Sequence, residues 1–283
     1  MNIDDHDIER LQTFLQSCPN TVVLTGAGIS LASGIPTYRD HEGRWQHSEP
    51  IKHKEFLQSS ATRRRYWTRS LYGWPAVRDA EPNLAHRALA LMERRGQIET
   101  LITQNVDRLH QRSGSRKVID LHGRLDQVRC LDCNALYCRQ QIQQQMTARE
   151  PTHYRPLSAR RPDGDLDLPE ATEKLTRIPD CVRCSGMLMP DVVFFGGTVP
   201  RARVDSCMAA LDRADALIAI GSSLQVYSGF RFCRRAAELG KPLAILNTGA
   251  TRADGLAQFK LDSDCGSLLA AVSGLSEERT GAA

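Results

Sequence analysis

Thr21-Val22-Val23-Leu24-Thr25-Gly26-Ala27-Gly28-Ile29-Ser30 is the stretch on which the fold turns. Its first five residues, apolar and β-branched, read as a buried strand that stops at a glycine-rich turn. Such a turn brings backbone N–H groups close to a ligand, because glycine allows a near approach and a following helix N-terminus favours negative charge. A full G-x-G-x-x-G is not present: Leu31 stands at the third position, and the next glycine is Gly34. The turn alone therefore suits a nucleotide phosphate or a plain strand-to-helix connection. Directly after it, Gly34-Ile35-Pro36-Thr37-Tyr38-Arg39-Asp40 adds an aromatic, a guanidinium and a carboxylate that could stack on and hydrogen-bond a ribose phosphate.

Before this stretch, residues 4–17 carry Ile8, Leu11, Phe14 and Leu15 at helical spacing. Short apolar runs at 99–103, 117–121, 216–220 and 243–247 read as further strands, with helical patterns at 83–95, 200–213 and 229–239. Strands alternating with helices predict a parallel sheet covered on both faces. Two stretches interrupt the alternation. Residues 36–80, with Trp45, Trp67 and Trp74, read as a cofactor loop followed by helices; residues 124–190 carry two cysteine pairs around a Pro/Asp/Arg-rich middle, 150–169, expected to be a surface excursion. The tail 276–283 reads as frayed.

The chain has 283 residues, 41% hydrophobic and 25% charged, which is ordinary for a globular protein large enough for one α/β domain with a smaller module attached. A net charge of +4 is too mild to argue for nucleic acid. No apolar run approaches the roughly 20 residues needed to cross a bilayer. The start is acidic and lacks the features of a secretory or mitochondrial leader, so the expectation is a cytoplasmic protein, acting as a monomer, with neither membrane nor nucleic acid as partner.

Several predicted strands end in polar groups, and in open α/β sheets ligands bind outside the carboxyl ends of the strands. One ends Thr103-Gln104-Asn105-Val106-Asp107 and another Leu121-His122-Gly123; two more end Gly221-Ser222-Ser223-Leu224 and Asn247-Thr248-Gly249. An imidazole that titrates near neutral pH suits removal of a hydroxyl proton. Cys130-x-x-Cys133 and Cys181-x-x-Cys184 fit a tetrahedral four-thiolate zinc site, which leaves no open position and is therefore structural. The separation of the pairs exceeds zinc-ribbon spacing, so a loop must bulge between them. Of the nine cysteines, Cys138 reads as a spare beside the first pair, and Cys18, Cys207, Cys233 and Cys265 as packing residues, with Cys265 able to lie against a ligand.

Taken together, these motifs resemble the sirtuin family of NAD-dependent protein deacylases. The matching pieces include Gly26 to Ser30, Gly34-Ile35-Pro36-x-Tyr38-Arg39, Gln104-Asn105-Val106-Asp107, His122-Gly123, the four cysteines, Pro190-Asp191-Val192-Val193-Phe194-Phe195-Gly196, Gly221-Ser222-Ser223-Leu224 and Asn247, in family order across residues 20–268. The cysteine spacing and the run from Gly221 to Gly229 look like the class II branch, which includes a mitochondrial vertebrate member.

The resemblance implies an α/β fold: a Rossmann-like parallel sheet with helices on both faces (1–35, 81–123 and 191–275) plus a small inserted zinc-binding domain (124–190), with 36–80 as cofactor loop and helical insertion. It implies NAD as a consumed co-substrate, one structural zinc ion, and acylated-lysine proteins as substrates. Gly26, Ala27, Gly28, Ser30, Tyr38 and Arg39 would bind the cofactor, and Gln104 its ribose. Asn105 and Asp107 would line the nicotinamide pocket. Gly221, Ser222, Ser223 and Asn247 would hold the adenosine half, with Cys265 near the adenine. His122 would be the general base, aided by Asn105, and Val192, Phe195 and Gly196 would clamp the peptide. The products would be nicotinamide, free lysine and O-acyl-ADP-ribose.

Gly197 departs from the family pattern, which continues with an acidic residue after Phe-Gly. Tyr66-Trp67-Thr68-Arg69 resembles the Tyr-x-x-Arg of the acidic-acyl sirtuins, where phenol and guanidinium bind a carboxylate on the acyl chain; a packed Tyr66 and a solvated Arg69 on a helix is the plainer alternative. Three other functions compete: a protein mono-ADP-ribosyltransferase on the same scaffold, a nicotinamide dehydrogenase, and a zinc-ribbon nucleic-acid binder.

Overall fold

The structure, a computed structural model, describes residues 4–40, 42–46, 49–149, 161–166 and 178–275. It opens with α1 (Asp5–Ser17), β1 (Thr21–Thr25), a 3₁₀ helix (Ala27–Ser33), α2 (His53–Gln58), α3 (Ser60–Asp79) and α4 (Leu84–Arg94). Next come β2 (Ile98–Thr103), α5 (Leu109–Arg112), β3 (Val118–Asp120), β4 (Gly123–Cys130), β5 (Leu136–Cys138) and α6 (Arg139–Arg149). The last part holds β6 (Leu188–Val192), α7 (Arg201–Arg213), β7 (Ala216–Ile220), α8 (Tyr227–Glu238), β8 (Leu243–Leu246), β9 (Phe259–Leu261) and α9 (Cys265–Ser273).

The main sheet is parallel, in the order β3-β2-β1-β7-β8-β9. Side chains alternate faces along a strand, and both faces here are apolar. Val23, Leu101, Ile218 and Leu246 pack with Leu11 and Leu15 of α1, Leu89 and Met92 of α4, and Leu268 of α9. Val22, Leu24, Leu217 and Ile245 pack on the other side with Leu211 of α7 and Phe232 of α8. The five expected strands are all present, and β9 is a sixth. After the glycine turn the expected helix is a 3₁₀ segment, Ala27–Ser33. From β1 the chain steps one way to β2 and β3, then returns and steps the other way through β7, β8 and β9; the reversal opens a crevice beyond the strand ends.

A second, antiparallel sheet has the order β5-β4-β6. Its Val128 and Leu188 share a core with Phe56 of α2, Trp67 and Leu71 of α3 and Ile142 of α6, so the two interrupting stretches pack on each other. The expected surface excursion at 150–169 is corrected where the chain is described: Arg161, Asp165 and Leu166 are only 2%, 3% and 2% exposed. Asp165 lies 3.1 Å from Arg69 Nε, and that Nε donates to the Leu166 carbonyl at 2.6 Å, which draws the segment into the interior. The rest of that stretch and the tail 276–283 lie outside the described residues.

Candidate active site

A cavity of about 980 Å³ lies over the carboxyl ends of β1, β2, β7 and β8. Of the residues expected to bind cofactor, Gly26, Ala27, Gly28, Ser30, Tyr38, Arg39, Gln104, Asn105, Asp107, Gly221, Ser222, Ser223 and Asn247 all line it. Cys265 does not: it begins α9, with Sγ directed at the Leu246 carbonyl at 3.8 Å and its thiol pushed up to about 12 by burial. The glycine turn has a second cause besides a ligand. Gly28 N donates to Gly221 O at 2.8 Å, and a Cβ on Gly28 would sit 2.9 Å from Gly221 Cα, so two strand-end loops meet backbone to backbone.

The polar strand ends hold one another. Gln104 Nε2 donates to Ser222 Oγ at 2.8 Å. Asn105 Nδ2 donates to Gly26 O and to Ser30 Oγ, each at 3.1 Å, and Ser30 Oγ donates to Asp107 Oδ2 at 2.8 Å. Burial raises the Asp107 carboxyl above its ordinary range, opposed by hydrogen bonds from Leu109 N and Ser30. Beneath them, Thr25 Oγ1 joins Thr103 Oγ1 and the buried His110 Nε2, each at 2.9 Å, and Thr103 Oγ1 accepts from Asn105 N at 3.1 Å.

His122 sits between the two sheets. Val193 N donates to its carbonyl at 2.8 Å, and Gly123 (φ 87°) pairs with Val192 so tightly that a Cβ there would lie 2.1 Å from Asp191 O. Its Nδ1 is 3.0 Å from Gln104 O and its Nε2 2.8 Å from Ser228 Oγ. Burial holds the imidazole down to about 4, against the Gln104 hydrogen bond, and Arg203 and Arg231 push the same way as burial. The ring is therefore neutral at physiological pH, the state a base requires.

Val192, Phe195 and Gly196 line the other side. Tyr38 and Trp45 meet Phe195 edge-on, with ring centroids 5.4 and 5.5 Å away, and the Arg39 guanidinium lies 3.9 Å over Trp45. Gly197 N closes a turn on Phe194 O at 2.9 Å. Tyr66 lines the cavity, but Arg69 is not among the lining residues. Its contacts with Asp165 and Leu166 explain why: the guanidinium offered to an acyl carboxylate already holds one from the protein, and it is neither solvated nor open to the cavity.

The four cysteines meet as expected, with all sulfurs within 4.8 Å of one another. Cys130 and Cys184 are 3.6 Å apart, and Cys133 and Cys181 3.7 Å. A Zn–S bond of about 2.3 Å sets tetrahedral corners about 3.8 Å apart, so the cluster fits zinc. Each pair ends in a left-handed residue, Asn134 (φ 58°) and Ser185 (φ 57°), whose N–H returns to the first cysteine's carbonyl. Tyr137 OH lies 3.0 Å from Cys181 Sγ.

Sequence reasoning assigned no role to Ser228, Arg231, Asp163 or Asp165, yet all four line the cavity. Ser228 belongs to the run that carried the family resemblance; the two aspartates fall in a segment whose composition reads as loop.

Residues 26–228 match the profile of the Sir2 family. An NAD-dependent protein deacetylase of Xanthomonas axonopodis pv. citri is 49% identical over 265 residues, 94% of this chain and 90% of that one. An NAD-dependent protein deacetylase of Bordetella bronchiseptica is 47% identical over 94% of this chain and 97% of its own length, and the NAD-dependent protein deacylase Sirt4 of Drosophila melanogaster is 44% identical over 94% and 86%. A solved structure of Sir2 with p53 peptide and NAD+ superimposes with a TM-score of 0.76 at 30% identity, covering 94% of this chain and 97% of that one. Fold, profile and relatives agree across nearly the whole length, and the chain belongs to the Sir2 family.

Proposed function

We propose that the chain is an NAD-dependent protein lysine deacylase. The observation that carries the reading is the His122 imidazole, held by Gln104 O and Ser228 Oγ at a strand end in the wall of the cavity that the glycine turn and the Gln104–Asn105–Asp107 group also line. The donor set suits a dinucleotide: Arg39 and Arg231 for its phosphates, Ser222, Ser223 and Asn247 for its adenosine half, and the amide, hydroxyl and carboxyl of Asn105, Ser30 and Asp107 for nicotinamide. Bound there, NAD supplies the ADP-ribosyl group that takes up the acyl chain as nicotinamide departs. Gln104 positions the ribose, the wall excludes water, and His122 Nε2 removes the ribose hydroxyl proton. Val192, Phe195 and Gly196 clamp the peptide. Cys130, Cys133, Cys181 and Cys184 hold one zinc ion, which takes no part in the chemistry.

Acylated proteins rather than nucleic acid fit the near balance of 37 basic and 33 acidic residues, and the reading includes a single chain working in the cytoplasm. No helix among the described residues is long and apolar enough to cross a membrane. An acid-tipped acyl group gains from Arg69 only by displacing Asp165. The test is mass spectrometry of acetyl-, glutaryl- and lipoyl-lysine peptides with NAD, parent against His122→Tyr. Nicotinamide and deacylated peptide should appear with the parent alone. Label from NAD retained on protein would instead point to ADP-ribosyl transfer.

A further inference from the structure

The Nδ1 of His122 faces the Gln104 carbonyl oxygen at 3.0 Å. A carbonyl oxygen only accepts, so Nδ1 carries the ring proton and Nε2 holds the one lone pair of the neutral imidazole. That lone pair is already engaged. Ser228 Oγ lies 2.8 Å from Nε2, and with Nε2 bare the serine hydroxyl is the donor. Ser228 stands in the first turn of α8 and faces the cavity. The turn is held in place by its neighbour: a Cβ on Gly229 would lie 2.5 Å from Gln104 Oε1, so α8 rests directly on the residue whose carbonyl holds the other ring nitrogen.

We propose that Ser228 is a positioning residue for the general base: its hydroxyl fixes the plane of the His122 ring, shields the Nε2 lone pair from solvent protons, and gives way to the ribose hydroxyl when the co-substrate seats. The assignment rests on the deacylase reading for its purpose, although the hydrogen bond itself does not. One lone pair accepts one strong hydrogen bond, so serine and ribose cannot both hold Nε2 at full strength. A protonated ring has nothing to offer the serine proton, and the contact therefore favours the neutral ring. The charged groups acting on the imidazole, Arg203 of α7 and Arg231 of α8, favour the neutral ring as well.

The test is an NMR titration of the histidines in the zinc-loaded full chain without NAD, comparing the parent with Ser228→Ala and Ser228→Thr. In Ser228→Ala the His122 midpoint should move up by about half to one pH unit, the size of one lost hydrogen bond to the neutral form. Ser228→Thr, which keeps the hydroxyl, should follow the parent. An unmoved midpoint in Ser228→Ala overturns the proposal. In turnover, the acid limb of kcat/KM should move the same way. A Ser228→Ala enzyme that loses turnover at every pH with its acid limb in place also overturns it, since the hydroxyl would then transfer the proton itself. The titration needs no turnover, so it decides the matter even for a parent that releases no nicotinamide.

Discussion

At the level of single residues the site is a set of side chains that satisfy each other before any substrate arrives. His122 is the one whose loss should separate the chemical steps. His122→Ala should lower deacylation by about a hundredfold or more, the usual worth of a positioned base. Exchange of labelled nicotinamide should survive, since it comes before the proton is taken, and a parallel loss of exchange would remove the assignment. Arg69 shows the opposite kind of residue. Its charge is matched by Asp165, 3% exposed, whose carboxyl is raised to about 7 by burial and by Asp163, with Arg69 opposing. Arg69→Ala should cost about 1–3 kcal/mol in urea unfolding, because the buried Leu166 carbonyl would lose the Arg69 donor, while Asp165 would keep Arg161, 3.7 Å away. A loss under about 1 kcal/mol would return Arg69 to the surface-like role. Nothing in Tyr66-Trp67-Thr68-Arg69 discloses that partner, which lies almost a hundred positions further along the chain.

At the level of elements, patterns with strong local causes could be read in advance. Each expected strand of the main sheet is a short apolar run, and the four cysteines announce their knuckles by spacing alone. What escaped notice depends on contacts distant in sequence. Strand β9 has three residues and owes its existence to β8, and the segment 161–166 is polar yet buried because Arg69 holds it. Helices α4 and α5 meet through His86 and His110, whose rings lie 4.8 Å apart in the interior. Burial lowers His86 to about 4, and burial with His86 lowers His110 well below its ordinary value. A depressed histidine takes up its proton in the unfolded chain first, so its contribution is complete above about pH 6.5 and is lost as the pH falls towards 4. Asp165 titrates with the opposite sign over part of that window, so the measurement is a difference. His86→Gln should close the stability gap to the parent as the pH falls from 7 to 5, by up to about 1.4 kcal/mol per pH unit. A constant gap would show that the ring titrates normally.

Across the described residues, two apolar cores flank the parallel sheet, a third joins α2, α3 and α6 to the small sheet, and a fourth, with Trp74, Val77, Leu109 and Leu125, ties α3 and the start of β4 to α5. Chelating the zinc should therefore loosen the third core alone. Hydrogen exchange should quicken at amides of β4, β5 and β6 while those of β1, β2 and β7 keep their protection, and uniform loss would mean that the cores unfold as one. Alternation of strand and helix disclosed the larger layer; the sharing of one core by residues 36–80 and the cysteine segment did not show, because neither carries a repeating pattern that names its neighbour. The three tryptophans all fall in that first segment, and Trp45 alone among them faces the cavity. The protein thus carries its own optical indicator: a planar heterocycle entering beside Trp45 would quench indole emission, the dimming would trace an unlabelled binding curve, and Trp45→Phe would leave the remaining glow indifferent to ligand.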